Sequence, residues 1–169
     1  SIPILTRAEL LGQIMRNYNQ SVAVAGTHGK TTTTSMLTEI LMEARKDPTI
    51  SVGGMLDAIG GNIRVGGPEM FVTEACEYTN SFLSFFPTME IILNIEADHL
   101  DFFKDIQDIR HSFRLFAEKL PADGTLIINS DTPHYEDIIR DLPCEVITYG
   151  LEHEADYTAT DITYDTFGH

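Results

Sequence analysis

A chain of 169 residues, 43% of them apolar and 22% charged, has the composition of one ordinary globular domain. Its 26 acidic residues outnumber its 11 basic ones, and the net charge of −15 argues against a broad surface that binds nucleic acid. Cys76 and Cys144 fit neither a disulfide framework nor a zinc site, and no apolar run approaches the roughly 20 residues of a membrane span. We therefore expect a cytoplasmic domain that binds neither nucleic acid nor membrane.

The first predicted elements are a helix, a strand and a second helix. The segment RAELLGQIMRNY repeats apolar residues at helical spacing, which predicts a short amphipathic helix over residues 7–18. The run from Val22 to Ala25 is continuously apolar, as expected of a strand buried on both faces of a parallel sheet. Residues 31–45 then predict a helix that stops before Lys46-Asp47-Pro48.

The turn between this strand and the second helix has the layout of a phosphate-binding loop. Gly26 to Thr32 reads GTHGKTT and follows the pattern G-x-x-x-x-G-K-[ST], except that Val24 stands at the first glycine position. Gly29 lets the backbone approach an anion, and the amide groups at the helix N-terminus point towards it. Lys30 adds a positive charge, and Thr31 offers a hydroxyl to a magnesium ion that bridges the phosphates. The alternative is a tight turn that merely contains a lysine.

A glycine-rich stretch follows a short predicted strand, Thr49 to Val52. The glycine pairs at 53–54, 60–61 and 66–67 argue against regular structure, so we expect a loop or a loosely paired hairpin. A plain connection is the simpler interpretation, although loops also carry ligand contacts. Asn62 is the residue of this stretch that we expect to contact a nucleotide.

Two further strands are predicted to deliver acidic side chains to the same edge of the sheet as the phosphate loop. Met70 to Thr73 leads into Glu74, whose position at the carboxyl end of a strand makes it a candidate ligand of a metal or phosphate site. Glu77 is interpreted as a solvated or structural acid, since charged side chains are mostly exposed. Met89 to Asn94 leads into IEADHLD, in which His99 stands among three acids.

Histidine is interpreted differently at its two positions near this edge. A lone histidine is more often an ordinary surface or core residue. The placement of His99 at a strand end, beside Asp98 and Asp101, favours a metal ligand. His28, inside the loop, either approaches phosphate or only shapes the turn, and the sequence leaves the two alternatives open.

The remaining chain alternates helix and strand, with helices over 105–119 and 133–141 and strands over 124–129 and 144–149. Apolar strands without alternation, separated by helices, predict an α/β fold of the phosphate-loop nucleotide-binding type: a mostly parallel sheet flanked by helices. The tail from Asp156 to Phe167 alternates apolar with polar residues and is rich in threonine. It predicts a short, exposed antiparallel strand.

Three motifs together resemble the central, ATP-binding domain of the Mur ligases of peptidoglycan synthesis. They are GTHGKTTT (Gly26 to Thr33), TEACEY (Thr73 to Tyr78) and NIEADHLD (Asn94 to Asp101), in that order. The resemblance covers nearly the whole chain. It implies an excised fragment, without the N-terminal domain for the uridine nucleotide and the C-terminal domain of a full ligase. The loop histidine resembles both the member that adds L-alanine and the muropeptide-recycling member, and the NIEADHLD form is more similar to the former.

The resemblance implies a reaction and a set of roles. ATP would phosphorylate the carboxylate of UDP-N-acetylmuramate, and the amine of L-alanine would attack the acyl phosphate to form an amide. Lys30, Glu74 and His99 would be the catalytic residues, while Thr31 and Glu74 would hold one Mg²⁺ and His99 a second metal. The residues assigned to the nucleotide are Gly26, Thr27, His28, Gly29, Lys30, Thr31, Thr32 and Asn62.

Two other functions remain open on the sequence. A phosphate-loop NTPase or kinase would need a Walker B-type aspartate at a strand end and a self-sufficient site, and Val24 together with the Glu74 and His99 pair argues against it. A non-catalytic nucleotide-binding module is the other alternative. We expect the isolated fragment to bind nucleotide weakly without ligating, because the reacting groups would be neither positioned nor shielded from water.

Overall fold

Four α-helices and eight strands alternate along the described residues, 2 and 4–163, of the computed structural model. The helices are α1 (Arg7–Met15), α2 (Lys30–Glu43), α3 (Ile106–Ala117) and α4 (Tyr135–Ile139). The strands are β1 (Gln20–Ala25), β2 (Thr49–Leu56), β3 (Gly61–Arg64), β4 (Met70–Ala75), β5 (Met89–Ile92), β6 (Thr125–Asn129), β7 (Glu145–Gly150) and β8 (Tyr157–Thr158). Two 3₁₀ segments, Asp57–Ile59 and Tyr78–Ser84, lie between strands. Within the described part of the chain, no helix is both long and apolar enough to cross a lipid bilayer.

All eight strands form one sheet in the order β3-β2-β4-β1-β5-β6-β7-β8. Every neighbouring pair is parallel except β2 with β3, which is antiparallel. The predicted α/β fold with a mostly parallel sheet is therefore confirmed. Because β1 lies between β4 and β5, the chain segments that follow these three strands emerge side by side at one edge of the sheet.

Two hydrophobic cores lie on opposite faces of the sheet, because successive side chains of a strand point to opposite faces. On one face Val22 and Val72 pack with Leu37 of α2. The other face carries the larger core, which includes Ala23, Ala25 and the phenylalanines of α3. Phe82 stacks on Phe116 there, with ring centroids 4.4 Å apart. Each fully buried aromatic ring of this kind contributes about 2 to 3 kcal/mol through the removal of apolar surface from water.

Helix α1 packs closely against the 3₁₀ segment that follows β4. A Cβ atom at Gly12 would lie 2.0 Å from the carbonyl oxygen of Ser84, so glycine is required for this close approach. The helix begins at a capping box, in which Thr6 and Glu9 satisfy each other's backbone amides. The packing of Gly12 against Ser84 fixes the position of the 3₁₀ segment that follows β4.

The glycine-rich stretch forms a hairpin. Strand β2 continues to Leu56 and pairs with β3, but the register shifts between Ser51 and Leu56. This irregular pairing matches the loosely paired hairpin, which was one of the two predicted alternatives. The hairpin forms one edge of the sheet, since β3 is its outermost strand on that side.

The predicted antiparallel orientation of the tail is wrong for the part that the structure describes. Tyr157 and Thr158 form β8, which runs parallel to β7. The reason is a local loop: Asp156 accepts hydrogen bonds from the backbone and hydroxyl of Thr148, both at 2.8 Å. This contact returns the chain to the middle of β7, so the following residues repeat the direction of β7. Residues 164–167 of the predicted strand lie outside the described residues.

Glu90 is a buried carboxyl group at the centre of the sheet. It lies on β5 between Ala23 and Leu126 of the adjacent strands, and it is 0% exposed. Neither of its carboxyl oxygens has a hydrogen-bond partner among the described residues. Burial raises the pKa of Glu90 well above its usual 4.5, and the nearby charge of Lys119 opposes this shift only in part.

We predict that Glu90→Gln stabilises the fold at neutral pH. The pKa of Glu90 is raised in the folded state, so between pH 4.5 and that raised pKa the unfolded chain releases the proton while the folded chain retains it. The free energy of unfolding of the wild type therefore falls as pH rises through this window, whereas the variant has no such proton to lose. We expect a gain on the order of 1 kcal/mol at pH 8 that disappears at pH 4.

Urea unfolding of both proteins between pH 4 and pH 8 measures this difference. Glu39→Gln, which changes an exposed glutamate of α2, is the matched control and should show no comparable gain. If the urea midpoints of wild type and Glu90→Gln differ by the same amount at every pH, the interpretation of Glu90 as a buried titrating group is contradicted.

Asp131 holds the loop that follows β7. Its carboxylate accepts hydrogen bonds from the backbone amides of Leu151 at 2.7 Å, Glu152 at 3.1 Å and His153 at 2.9 Å. The ring Nδ1 of His153 also lies 2.9 Å from the same carboxylate. These hydrogen bonds, that of Leu151 foremost, lower the pKa of Asp131 to about 2. One ionised side chain thus fixes three consecutive backbone amides.

We predict that Asp131→Asn lowers the thermal midpoint at pH 7, because an amide presents one acceptor oxygen where the carboxylate presents two. The lowered pKa means that the stabilisation by Asp131 is fully present above pH 3.8 and is lost as pH falls towards about 2. Calorimetry at pH 7 and at pH 2 should show a large difference between wild type and variant only at pH 7. Asp123→Asn, at an exposed aspartate, is the control, and an equal loss in that variant would refute the assignment.

Candidate functional site

The candidate site lies at the carboxyl ends of β4, β1 and β5. Register pairing places Ala25 of β1 beside Ala75 of β4 and beside Ile92 of β5. The three strands therefore end at the same level, and the loops that follow them share one crevice. Ligands of open parallel sheets bind in this kind of crevice, where connections leave a central strand in opposite directions.

The loop after β1 is fastened to the end of β5. Gly26 has φ of 143°, and a Cβ atom there would lie 3.0 Å from the Cβ of Leu93. Asn94 accepts a hydrogen bond from the amide of His28 at 2.8 Å and donates one to the carbonyl of His28 at 3.0 Å. The amide of Thr27 donates to the Asn94 carbonyl at 3.2 Å. Glycine at position 26 and the side chain of Asn94 together give the loop its shape.

These hydrogen bonds decide which backbone amides remain for an anion. The amides of Thr27 and His28 both donate to Asn94. Helix α2 begins at Lys30 after Gly29, which has a left-handed φ of 85°. The amides of the first helical turn have no acceptor within the helix, so those of Lys30, Thr31 and Thr32 point out of the N-terminus. The backbone amides that remain for an anion are therefore those at the N-terminus of α2 and not those of Thr27 and His28.

Lys30 turns its ammonium group back into the protein. Its Nζ donates to the carbonyls of Gly26 at 2.5 Å and Thr27 at 3.2 Å, and to Glu77 Oε2 at 3.0 Å. The lysine side chain is 17% exposed. All three N–H donors of the ammonium thus have acceptors within the chain, and the charge of Lys30 is paired with that of Glu77.

Of the two alternatives predicted for Glu77, a solvated or a structural acid, the solvated acid is wrong and the structural acid agrees with its burial. Its side chain is 2% exposed and forms an ion pair with Lys30. The residue follows β4 by two positions, where the chain turns into the 3₁₀ segment Tyr78–Ser84, and this turn directs the carboxylate inward. Sequence reasoning did not place Glu77 at the site, because the residue type alone does not distinguish a buried glutamate from an exposed one. Its spacing of three residues from Glu74 within TEACEY was the available signal.

His99 reaches the same carboxylate from the β5 side. Its Nε2 lies 3.7 Å from Glu77 Oε1, and its ring centroid lies 4.6 Å from that of Tyr78. The residue has a left-handed φ of 52°, and its amide donates to the Asp98 side chain at 2.7 Å. Lys30 and His99, two residues predicted for the site, are therefore brought together, and Glu77 is the group between them.

Glu74 and Thr31 border the site on the side of α2. Glu74 pairs in register with Val24, and its Oε2 would lie 3.0 Å from a Cβ atom at Gly53. A Cβ atom at Gly54 would lie 3.6 Å from the Cγ2 of Thr31. Both side chains thus flank the Gly53-Gly54 backbone. Glycine at position 53 leaves room for the carboxylate of Glu74.

The donor set fits a magnesium ion that is held in part by a ligand. Glu74 Oε1 is buried and has no hydrogen-bond partner among the described residues, so one carboxylate oxygen is available for a cation. No group of three or more histidine, cysteine, aspartate or glutamate side chains with metal-binding geometry occurs within the described residues. Mg²⁺ is commonly held by one or two carboxylates together with phosphate oxygens and water, so the unpartnered oxygen of Glu74 and the hydroxyl of Thr31 fit the protein's share of such a site.

Asn62 is not brought to the loop. It is exposed on β3, which is separated from β1 by β2 and β4. Three strand spacings correspond to about 14 Å. The contact of Asn62 with a nucleotide stays a prediction without support from this arrangement. The His28 ring is 64% exposed and lies 3.9 Å from Glu96, so it points to solvent and leaves both of its predicted roles open.

A cavity of about 460 Å³ adjoins Glu74 between α1 and the 3₁₀ segment Tyr78–Ser84. Its lining includes Arg7 and Asn80. Asn80 has a left-handed φ of 57° and accepts a hydrogen bond from Ser112 of α3. The cavity offers space for a second ligand next to the candidate metal ligand.

Comparison with known proteins identifies relatives of this chain. Residues 24–169 match the family described as Mur ligase middle domain. UDP-N-acetylmuramate--L-alanine ligases from Lachnospira eligens and Agathobacter rectalis are 67% and 64% identical to it. The matches cover 99% and 97% of this chain but only 37% and 36% of those proteins. The chain thus spans little more than a third of the length of the curated relatives.

Solved structures with the same fold are also Mur ligases. A UDP-N-acetylmuramate:L-alanyl-gamma-D-glutamyl-meso-diaminopimelate ligase from Neisseria meningitides has a TM-score of 0.80 at 27% identity, over 88% of this chain and 51% of that one. A UDP-N-acetylmuramate-alanine ligase from Thermotoga maritima has a TM-score of 0.70 at 28% identity, over 86% of this chain and 32% of that one. The resemblance in sequence motifs is confirmed: the chain belongs to the Mur ligase family, and its residues 24–169 are a Mur ligase middle domain.

Proposed function

We propose that this chain is the ATP-binding centre of a ligase that joins L-alanine to UDP-N-acetylmuramate in peptidoglycan synthesis. The observation that carries the proposal is the meeting of the loop lysine, the N-terminus of α2 and Glu74 at one sheet edge. Curated relatives that are 67% and 64% identical carry the name of that activity. Because ATP is the phosphoryl donor, we place the reaction in the cytoplasm.

The site residues would have separate roles in phosphoryl transfer, namely phosphate binding and metal binding. Lys30 and the first-turn amides of α2 would bind the β- and γ-phosphates of ATP, and Thr31 with Glu74 would hold Mg²⁺ against them. The ion, when bound, neutralises the phosphate oxygens while the γ-phosphoryl group moves. His99 would hold a second metal on the substrate side.

The substrate carboxylate would occupy the cavity beside Glu74, where Arg7 supplies a positive charge. A carboxylate is a poor electrophile, so its oxygen first takes the γ-phosphoryl group and ADP leaves. The amine nitrogen of L-alanine then attacks the carbonyl carbon, phosphate leaves with the C–O bond electrons, and the amine loses a proton.

A second candidate of the same family is a ligase that adds a muropeptide. The structure from Neisseria meningitides, with its TM-score of 0.80, favours it, and the sequence identities favour the L-alanine ligase. A protein of the full length of the relatives, assayed with L-alanine and with L-alanyl-gamma-D-glutamyl-meso-diaminopimelate, distinguishes the two by which amine supports ADP release.

We predict that Lys30→Met weakens binding of a non-hydrolysable ATP analogue with Mg²⁺ by at least about tenfold, since a hydrogen bond to a charged group contributes roughly 1.5 to 3 kcal/mol. Glu74→Gln should not lower the metal-free affinity, because it removes a negative charge, but it should reduce the gain from Mg²⁺. Calorimetric titration with and without Mg²⁺ measures both effects. Lys46→Met, at an exposed lysine beyond α2, is the control. Equal losses in Lys30→Met and Lys46→Met would refute a phosphate site at the loop.

We also predict that this chain alone binds nucleotide but releases no ADP in response to L-alanine and UDP-N-acetylmuramate. It corresponds to 37% of the length of a relative, and a site formed by part of a ligase neither orients both reactants nor excludes water. A coupled ADP assay measures this, with nucleotide titration as proof that the chain is folded. Alanine-dependent ADP release from residues 1–169 would overturn the prediction.

A further inference from the structure

We propose that Glu77 is the buried counter-ion of Lys30 and makes nucleotide binding at this loop dependent on a divalent cation. The proposal rests on the proposed function and adds a specificity-determining residue to the same site. Glu77 is not assigned to the phosphates or to the metal. It acts through Lys30, by cancelling the charge that a phosphate would otherwise meet.

The first step is the pairing of charges at the loop. Lys30 is the only lysine or arginine between Gln20 and Ala44. Its Nζ lies 3.0 Å from Glu77 Oε2 and 3.4 Å from Oε1, so both oxygens of the carboxylate face the ammonium group. With the Glu77 side chain 2% exposed, water screens this interaction poorly. The lysine and the glutamate together carry no net charge.

The second step is the surrounding field. Glu74 and Asp98 add carboxylates at the ends of β4 and β5, and the chain as a whole has a net charge of −15. A polyphosphate without a cation would thus meet a neutral ion pair surrounded by negative charge. The amides at the N-terminus of α2 contribute only partial charges. A divalent cation bound with the phosphates supplies the missing positive charge.

The third step concerns His99. Its Nε2 lies 3.7 Å from Glu77 Oε1, beyond hydrogen-bonding distance but in direct contact with the carboxylate. The same buried group therefore faces both the loop lysine and the candidate ligand of the second metal. Removing the charge of Glu77 therefore changes the electrostatic field at both Lys30 and His99.

The test is a comparison of nucleotide affinity with Mg²⁺ and with EDTA in wild type and Glu77→Gln. Glutamine retains the shape of glutamate and one acceptor oxygen for Lys30, and it replaces the other oxygen by an NH₂ group, so the negative charge is removed with little change in volume. We expect the metal-free affinity for ADP to rise by about tenfold, because a charge is removed at close range in a poorly screened site. The affinity for ADP with Mg²⁺ should change less, so the ratio of the two affinities falls.

Two further variants keep the result interpretable. Lys30→Met/Glu77→Gln removes both charges, and we expect it to abolish the gain in metal-free affinity, because Glu77 acts through Lys30. It also leaves no uncompensated charge, so it remains testable if Glu77→Gln alone does not fold. Glu96→Gln removes a carboxylate that is 63% exposed in the same segment as His99, and it should have little effect.

Several outcomes would overturn the proposal. If Glu77→Gln lowers the affinity for ADP equally with and without Mg²⁺, Glu77 has only a structural role. An equal gain in Glu96→Gln would show that any nearby charge has the same effect. If the wild type binds ADP with Mg²⁺ and Glu77→Gln has the same metal dependence as the wild type, this inference alone is refuted. Wild type that binds no ADP even with Mg²⁺ refutes the proposed function as well.

Discussion

The parallel pairing of β1 with β4 and β5 is the constraint on which the site depends. It places the ends of three strands at one level, so segments that are far apart in the chain meet without any long excursion. Side chains after β4 and after β5 then face the phosphate loop after β1. Glu77 reaches Lys30 across 47 positions of sequence for this reason. Any change in the register of these strands would separate the residues of the site.

The loop after β1 is shaped by hydrogen bonds that satisfy most of its polar groups within the chain. Asn94 accepts hydrogen bonds from the amides of Thr27 and His28, so the amides that stay without an internal acceptor are those at the N-terminus of α2. Lys30 satisfies its donors within the chain. The loop proposed to bind nucleotide is thus held by internal hydrogen bonds, and the charge of its lysine is paired with that of a buried glutamate. A loop built this way requires little ordering when an anion arrives.

The same chain uses carboxylates in three different environments. Asp131 is ionised and fixes a loop through backbone amides, whereas Glu90 is buried without a hydrogen-bond partner among the described residues, which favours its neutral form. Glu77 is buried but paired with a lysine. These differences follow from what each carboxylate meets in space. The residue type, a carboxylate in each case, does not distinguish the three environments.

The sequence by itself determined the fold class, the strand and helix order and the position of the phosphate loop. These features depend on local patterns: apolar runs, helical periodicity, and a glycine and lysine at the start of a helix. The motifs also determined the family, since three of them occur in the correct order. Lys30, Glu74 and His99 were predicted as site residues because each stands at or shortly after the end of a predicted strand.

Only the tertiary structure decided how these residues meet. It buried Glu77 between Lys30 and His99, assigned Asn94 to the loop, and placed Asn62 three strands away from β1. It also made β8 parallel, through a hydrogen-bonded loop between Thr148 and Asp156 that no periodicity signals. The physical reason is that burial and ion pairing depend on side chains brought together from distant segments, whereas sequence patterns report only the preferences of neighbouring residues.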